Sequence, residues 1–128
     1  MPTAKSIIDE ALGVDPRGDH PSVKRSGKWP KVMRAYLAEH PACEVCGATE
    51  GLNCHHVRPY HLFAELELEP SNLITLCTTG HDCHEIFGHL CDWKAWNPTI
   101  RADAEIMRFK IATAKAVLKI IHRKAPTP

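Results

Sequence analysis

All six cysteines of this chain lie between Cys43 and Cys91, and six of its nine histidines lie there too. At 128 residues the chain buries only a modest core, and a small core gains from a staple such as a metal ion. The stretch "CEVCG" supplies Cys43 and Cys46 on what should be a tight turn, so that both thiolates can point at one tetrahedral ion. The stretch "LCTTGHDCH" supplies Cys77 and Cys83. Five residues separate them, more than the usual two to four, and the chain can loop outward there. Four thiolates make a closed structural site, and their softness favours zinc over magnesium. A redox-active Cys43–Cys46 pair is the rival reading, but it wants a βαβ context that the sequence does not show. Cys54 and Cys91 are left over and read as small, buried or semi-buried side chains.

The length fits a single domain. A net charge of +1, from 16 Lys+Arg against 15 Asp+Glu, is no basic-protein signature, so any nucleic-acid contact must come from local clustering. No apolar run approaches membrane-spanning length, and the start "MPTAKSIIDEALG" lacks a signal-peptide core. The expected location is therefore the cytoplasm, a reducing compartment in which clustered cysteines read as metal ligands before disulfides.

Three segments are expected. Residues 1–30 form an N-terminal helix and a basic arm. The helix is "SIIDEALG", capped by Ser6 and ended by Gly13. The arm "VDPRGDHPSVKRSGKWP" carries Arg17, Lys24, Arg25, Lys28 and Lys31, and reads equally as a solvated loop or as a clamp on a nucleic-acid backbone. Residues 31–97 hold the cysteine–histidine region, entered by a helix over Lys31–His40 that Pro41 ends. Two short alternating pieces, Leu52–Val57 and Leu73–Leu76, read as strands. Residues 98–128 form a long helix with Asn97 as N-cap and Pro98 in the first position. Met107, Ile111, Ala114, Leu118 and Ile121 recur at four and three, one apolar stripe expected to pack on the rest. Arg108, Lys115, Lys119 and Arg123 lie toward the other side and read as a solvated face.

The order "CHHV", "SNLITLC", "CHEIFGH" resembles the HNH endonuclease family, over roughly Cys43 to Trp96. The chain is also similar to small HNH proteins of bacterial and phage genomes. The resemblance implies a small α+β fold, a ββα-metal finger stapled by structural zinc and flanked by helices. It implies that His55 is the first ligand of a catalytic divalent ion, His56 the general base, Asn72 the residue that ties the loop to the strands, and His84 a further ligand. Many relatives carry another ligand four residues after that last histidine. Here position 88 is Gly and the histidine is His89. Five steps of an α-helix end roughly 140° away from the starting direction. A left-handed Gly88 ending the helix is one way to swing His89 back, and His81 is the alternative ligand.

The chemistry stands apart from the family. Phosphodiester hydrolysis needs a water, a base for its proton, and positive charge at the phosphate and leaving oxygen. A neutral imidazole suits the base near pH 7, and one divalent ion (Mg²⁺, Mn²⁺, Ni²⁺ or Zn²⁺) suits the charge. Adjacent strand residues face opposite ways, which separates a ligand His55 from a base His56. A backbone carbonyl of the "RPYHLF" loop is expected to orient His56. Arg58 reads either as a phosphate clamp or as a surface charge. Glu65, Glu67 and Glu69 read as solvated or as packing on basic helices, His61 as structural, and Phe87, Trp93 and Trp96 as core, with stacking on a nucleobase as the lesser alternative. The expected function is DNA cleavage or nicking, which, as the resemblance to the HNH family implies, leaves a 5′-phosphate and a 3′-hydroxyl. The competing function is a non-catalytic zinc module that binds DNA or protein. A homodimer or a phage or host protein partner is compatible with either.

Overall fold

β1 (Leu52–His56) and β2 (Leu73–Cys77) pair antiparallel, with His55 opposite Ile74 and His56 opposite Leu73. Strand alternation then sorts the ribbon into two faces. His55, Ile74 and Leu76 point one way; His56, Cys54 and Leu73 point the other. The computed structural model describes residues 24–124, so the expected "SIIDEALG" helix and most of the basic arm fall outside the described residues.

Each face of the ribbon has its own cover. α1 (Trp29–Glu39) lies on the His56 face, where Trp29 and Tyr36 pack with Cys54 and Leu73. The helix starts two residues earlier than Lys31 because Pro30 fits its first turn, where a missing N–H costs nothing. The Tyr36 hydroxyl donates to the Leu73 carbonyl at 2.8 Å, so the buried phenol keeps a partner. On the other face, Ile74 and Leu76 pack with Val45, Ile100 and Ala104 around the cysteines. A short π-turn, His84–Gly88, and α2 (Ile100–Lys124) complete that side. The fold is a small α+β domain with a two-stranded sheet and a four-cysteine cluster compatible with a zinc site.

α2 departs from the expectation in two ways. It begins at Ile100, not at Pro98. Buried Asn97 instead accepts from the Thr99 amide and donates to the Phe87 carbonyl and the Asp103 carboxylate, which ties the π-turn to the helix. Only its first part packs on the domain. Ile100 and Ala104 are buried and Met107 and Ile111 half-buried, but residues 112–123 are exposed, including Leu118 and Ile121. The apolar stripe read as packing therefore runs past the edge of the described domain. No helix among the described residues is long and apolar enough to cross a membrane.

Candidate metal centres and phosphodiester cleft

The sulfur atoms of Cys43, Cys46, Cys77 and Cys83 all lie within 4.8 Å of one another. The first pair sits on a turn closed by Gly47 N–H donating to the Cys43 carbonyl at 2.9 Å, and Gly47 takes φ +79°, a left-handed value that a side chain would strain. Cys77 ends β2 and Cys83 precedes the π-turn, so an ion here would pin strand to helix. Burial pushes the Cys43 thiol up, but the amides of Cys46 and Val45 turned toward it outweigh burial and leave it below its usual value. Burial comes first in pushing Cys83 strongly upward, and the neighbouring sulfurs of Cys77, Cys43 and Cys46 add to it. The donor set fits a soft tetrahedral ion.

A second cluster forms on the His55 face. Ring nitrogens of His55, His84 and His89 also lie within 4.8 Å of one another, while His81 is exposed and outside the group. Burial comes first in holding His55 down to about 3, followed by the neighbouring rings of His84 and His89. Burial likewise lowers His84. Neutral imidazoles keep a lone pair to donate. His55 Nε2 is buried with no hydrogen-bond partner, the kind of orphan that a metal ion satisfies. His89 Nδ1–H donates to the Ala95 carbonyl at 2.8 Å, which leaves Nε2 for an ion and fixes the ring.

The spacing problem is solved by a π-turn, not by a left-handed glycine. The His89 amide donates to the His84 carbonyl at 3.1 Å, a five-residue hydrogen bond that brings residues five apart onto one side. The left-handed residues come afterwards, at Leu90 and Cys91. Gly88 serves a different need. A Cβ there would stand 3.1 Å from His55 Cε1 and 3.2 Å from Leu76 Cδ1, so glycine lets the turn approach the ribbon.

His56 lies on the opposite face, 8% exposed. Its Nε2–H donates to the Glu67 carbonyl at 2.9 Å, which makes Nδ1 the basic nitrogen. The carbonyl comes from the acidic "AELELEP" stretch, a few residues beyond the "RPYHLF" loop expected to supply it. Burial lowers His56 most; the Glu67 carbonyl opposes this, and the Arg25 charge adds to the lowering. Trp29 packs against the ring at a 31° tilt, with centroids 4.4 Å apart. Asn72 Oδ1 accepts from the Arg58 amide at 2.9 Å, and Nδ2 donates to the carbonyls of Arg58 and Leu66. Buried Asn72 thus ties the loop after β1 to the start of β2.

A cleft of about 340 Å³ opens over both histidine groups. His55, His56, His84 and His89 line it, together with Arg25, Tyr60 and Trp93. Arg58 does not line it; its guanidinium stands 5.2 Å from the Phe63 ring centroid. Several sequence expectations change here. Trp93 is 65% exposed at the cleft and is not core, whereas Phe87 and Trp96 are partly buried. Glu67 is buried, with Oε1 accepting from the Ser26 amide at 2.9 Å, and is not solvated. Cys54 is buried but Cys91 is exposed.

Residues 43–86 match the family model for the HNH endonuclease. This segment resembles an HNH domain. The matched segment is about a third of the chain and includes the four cysteines, His55, His56, Asn72 and His84. His89 and Arg25 lie outside it. Searches of curated proteins and of solved structures gave no match. The HNH family is one of endonucleases, so the domain points to nuclease-type chemistry on a nucleic acid.

Proposed function

We propose that this protein is a metal-dependent endonuclease that hydrolyses DNA phosphodiester bonds, with His56 as general base and a divalent ion at His55, His84 and His89. The observation that carries the reading is the pairing of functions across one β-ribbon. Three imidazoles converge on one face, and a fourth, tautomerically fixed by Glu67, opens onto the same cleft from the other. A structural zinc at Cys43, Cys46, Cys77 and Cys83 would hold the two layers in register.

A cation held by the three histidines would supply positive charge against the phosphate and the leaving oxygen. The chain's own groups do the rest. His56 Nδ1 accepts a proton from water as the water oxygen forms its bond to phosphorus. The phosphorus–O3′ bond breaks, and the O3′ leaves with a proton gained from solvent, giving a 3′-hydroxyl and a 5′-phosphate. Burial keeps His56 neutral, so the base is ready near pH 7. Asn72 holds the loop that follows His56 and so steadies the base. Arg58 would reach the phosphate only by rotating off Phe63.

The test is cleavage of supercoiled plasmid with Mg²⁺, Mn²⁺ or Ni²⁺, comparing wild type with His56→Ala. The wild type is expected to relax or linearise plasmid, and the variant to lose about 10²–10⁴-fold. Intact plasmid under every metal, or equal cutting by both proteins, sinks the proposal. Metal counting separates it from a non-catalytic zinc module: a second, weaker ion should be present and should be lost on His55→Ala or His84→Ala.

A further inference from the structure

The matched HNH segment begins at Cys43, yet the cleft has a wall that comes from before it. Arg25 lines the cleft together with His55, His56, His84 and His89. Its guanidinium carbon lies 4.1 Å from the Tyr60 ring centroid and 5.0 Å from that of Trp29. Two aromatic faces thus hold one flat cation, an arrangement that suits arginine and favours a fixed orientation. Trp29 is the ring that packs against His56, and Tyr60 has its centroid 5.8 Å from the same histidine. The arginine is therefore built onto the base's own packing.

The backbone is pinned as well. The next residue, Ser26, donates its amide to buried Glu67 Oε1 at 2.9 Å. Glu67 thereby performs two tasks. Its carbonyl orients His56, and its carboxylate anchors the segment that carries Arg25. Among the described residues Arg25 has no ion-pair partner and no hydrogen-bond acceptor, so its N–H groups are available to a ligand in the cleft. Arg58, the arginine nearer in sequence to the histidines, stands over Phe63 and does not line the cleft.

We propose that Arg25, carried by the basic arm and held between Trp29 and Tyr60, grips a non-bridging oxygen of the phosphate that His56 serves. The proposal rests on the nuclease reading of the cleft. Guanidinium donors match two phosphate oxygens in one plane and keep their charge at every working pH. Held beside the base before substrate arrives, the cation lowers the cost of the charge that builds on the phosphate oxygens.

The experiment compares wild type with Arg25→Met, which keeps the aliphatic stem, and Arg25→Lys, which keeps the charge. Cleavage of a fluorescent duplex oligonucleotide gives kcat and KM, and anisotropy in the His56→Ala background gives binding across a salt series. Arg25→Met should lower kcat/KM about 10–1,000-fold, as removal of one oxyanion donor does, with part of the loss recovered in Arg25→Lys. The slope of log affinity against log salt should fall by about one in Arg25→Met, the signature of one lost phosphate contact. Metal content and thermal midpoint should match those of wild type. Cleavage by Arg25→Met within about threefold of wild type, together with an unchanged salt slope, overturns the proposal. If the wild type itself does not cut, the nuclease reading fails, and binding alone then decides: unchanged affinity in Arg25→Met rejects the phosphate contact, and weaker binding with the reduced slope supports it.

Discussion

The amide of His89 reaches back 3.1 Å to the carbonyl of His84, and this one five-residue hydrogen bond turns an out-of-step histidine into part of a three-imidazole cluster. The last residue of the turn lies close to the ribbon, and the absence of a Cβ at Gly88 leaves room for that approach. Gly88→Ala would place a methyl group 3.1 Å from His55 Cε1 and 3.3 Å from its Nδ1. Alanine favours helical backbone by up to about 1 kcal/mol over glycine, which partly offsets the crowding in stability. Nothing offsets it at the ring. Gly88→Ala is expected to change the thermal midpoint little but to weaken binding at the histidine cluster about tenfold or more, as displaced ligand rings do. Calorimetric titration with Ni²⁺ or Zn²⁺ reads this directly, and affinity equal to wild type would show that the close approach is unimportant.

The donors of that cluster are three nitrogens, with no carboxylate among them. Mg²⁺ binds oxygen ligands and sheds water reluctantly, whereas imidazole suits later first-row ions. Cleavage should therefore be faster with Ni²⁺ than with Mg²⁺ at equal concentration. A plasmid assay run with each ion added to metal-stripped, zinc-restored protein makes the comparison. Best activity in Mg²⁺ would mean that the histidines are not the main ligands.

Asn72 is a buried amide with three backbone partners. Asn72→Asp keeps the shape and the acceptor for the Arg58 amide. It replaces the donor that serves the Arg58 and Leu66 carbonyls with an oxygen facing oxygens. Leaving such groups unsatisfied costs about 1–3 kcal/mol. For a domain of this size that lowers the melting midpoint by roughly 4 °C or more. Circular dichroism on both proteins checks it, and the loosened loop should also slow cleavage.

What the sequence disclosed depended on whether a feature was local. The placing of His55 and His56 on opposite faces follows from strand alternation, and the two-residue gap between Cys43 and Cys46 marks a ligand pair, so both were legible; the wider gap between Cys77 and Cys83 was a weaker signal. The π-turn was not, because an α-turn and a π-turn share one local residue pattern, and the close packing of Gly88 on His55 and Leu76 comes from across the fold. Glu67 sits among Glu65 and Glu69 and looks solvated; its burial depends on the distant Ser26 amide. Trp93 looked like core because tryptophan usually is. The stripe on α2 is periodic, but periodicity cannot say where the supporting surface ends. Arg25 was visible only as one cation in a basic arm, since its rings, Trp29 and Tyr60, come from two separate places in the chain.

The end of that surface has a measurable consequence. Residues 112–123 are exposed, so ending the chain after Ala112 removes helix without removing core. The helical signal should drop while the thermal midpoint stays within about 4 °C of the intact protein, less than 1 kcal/mol on the scale of a small domain. A larger fall would mean that the distal helix is covered in solution.

The six cysteines should divide into three reactivity classes. Cys91 is exposed and should take up iodoacetamide in the native protein. Cys43, Cys46, Cys77 and Cys83 should resist while an ion holds their thiolates, and should label once a chelator removes it. Cys54 is 5% exposed, and burial pushes its thiol up to about 11 with Arg25 opposing, so it carries little thiolate at neutral pH. It should label only when the domain unfolds. Chelation is expected to lower the midpoint as well, because a core of this size leans on its staple. Mass spectrometry of labelled peptides, before and after chelator, assigns each class. If the four clustered cysteines label as fast as Cys91 in untreated protein, no ion closes that site.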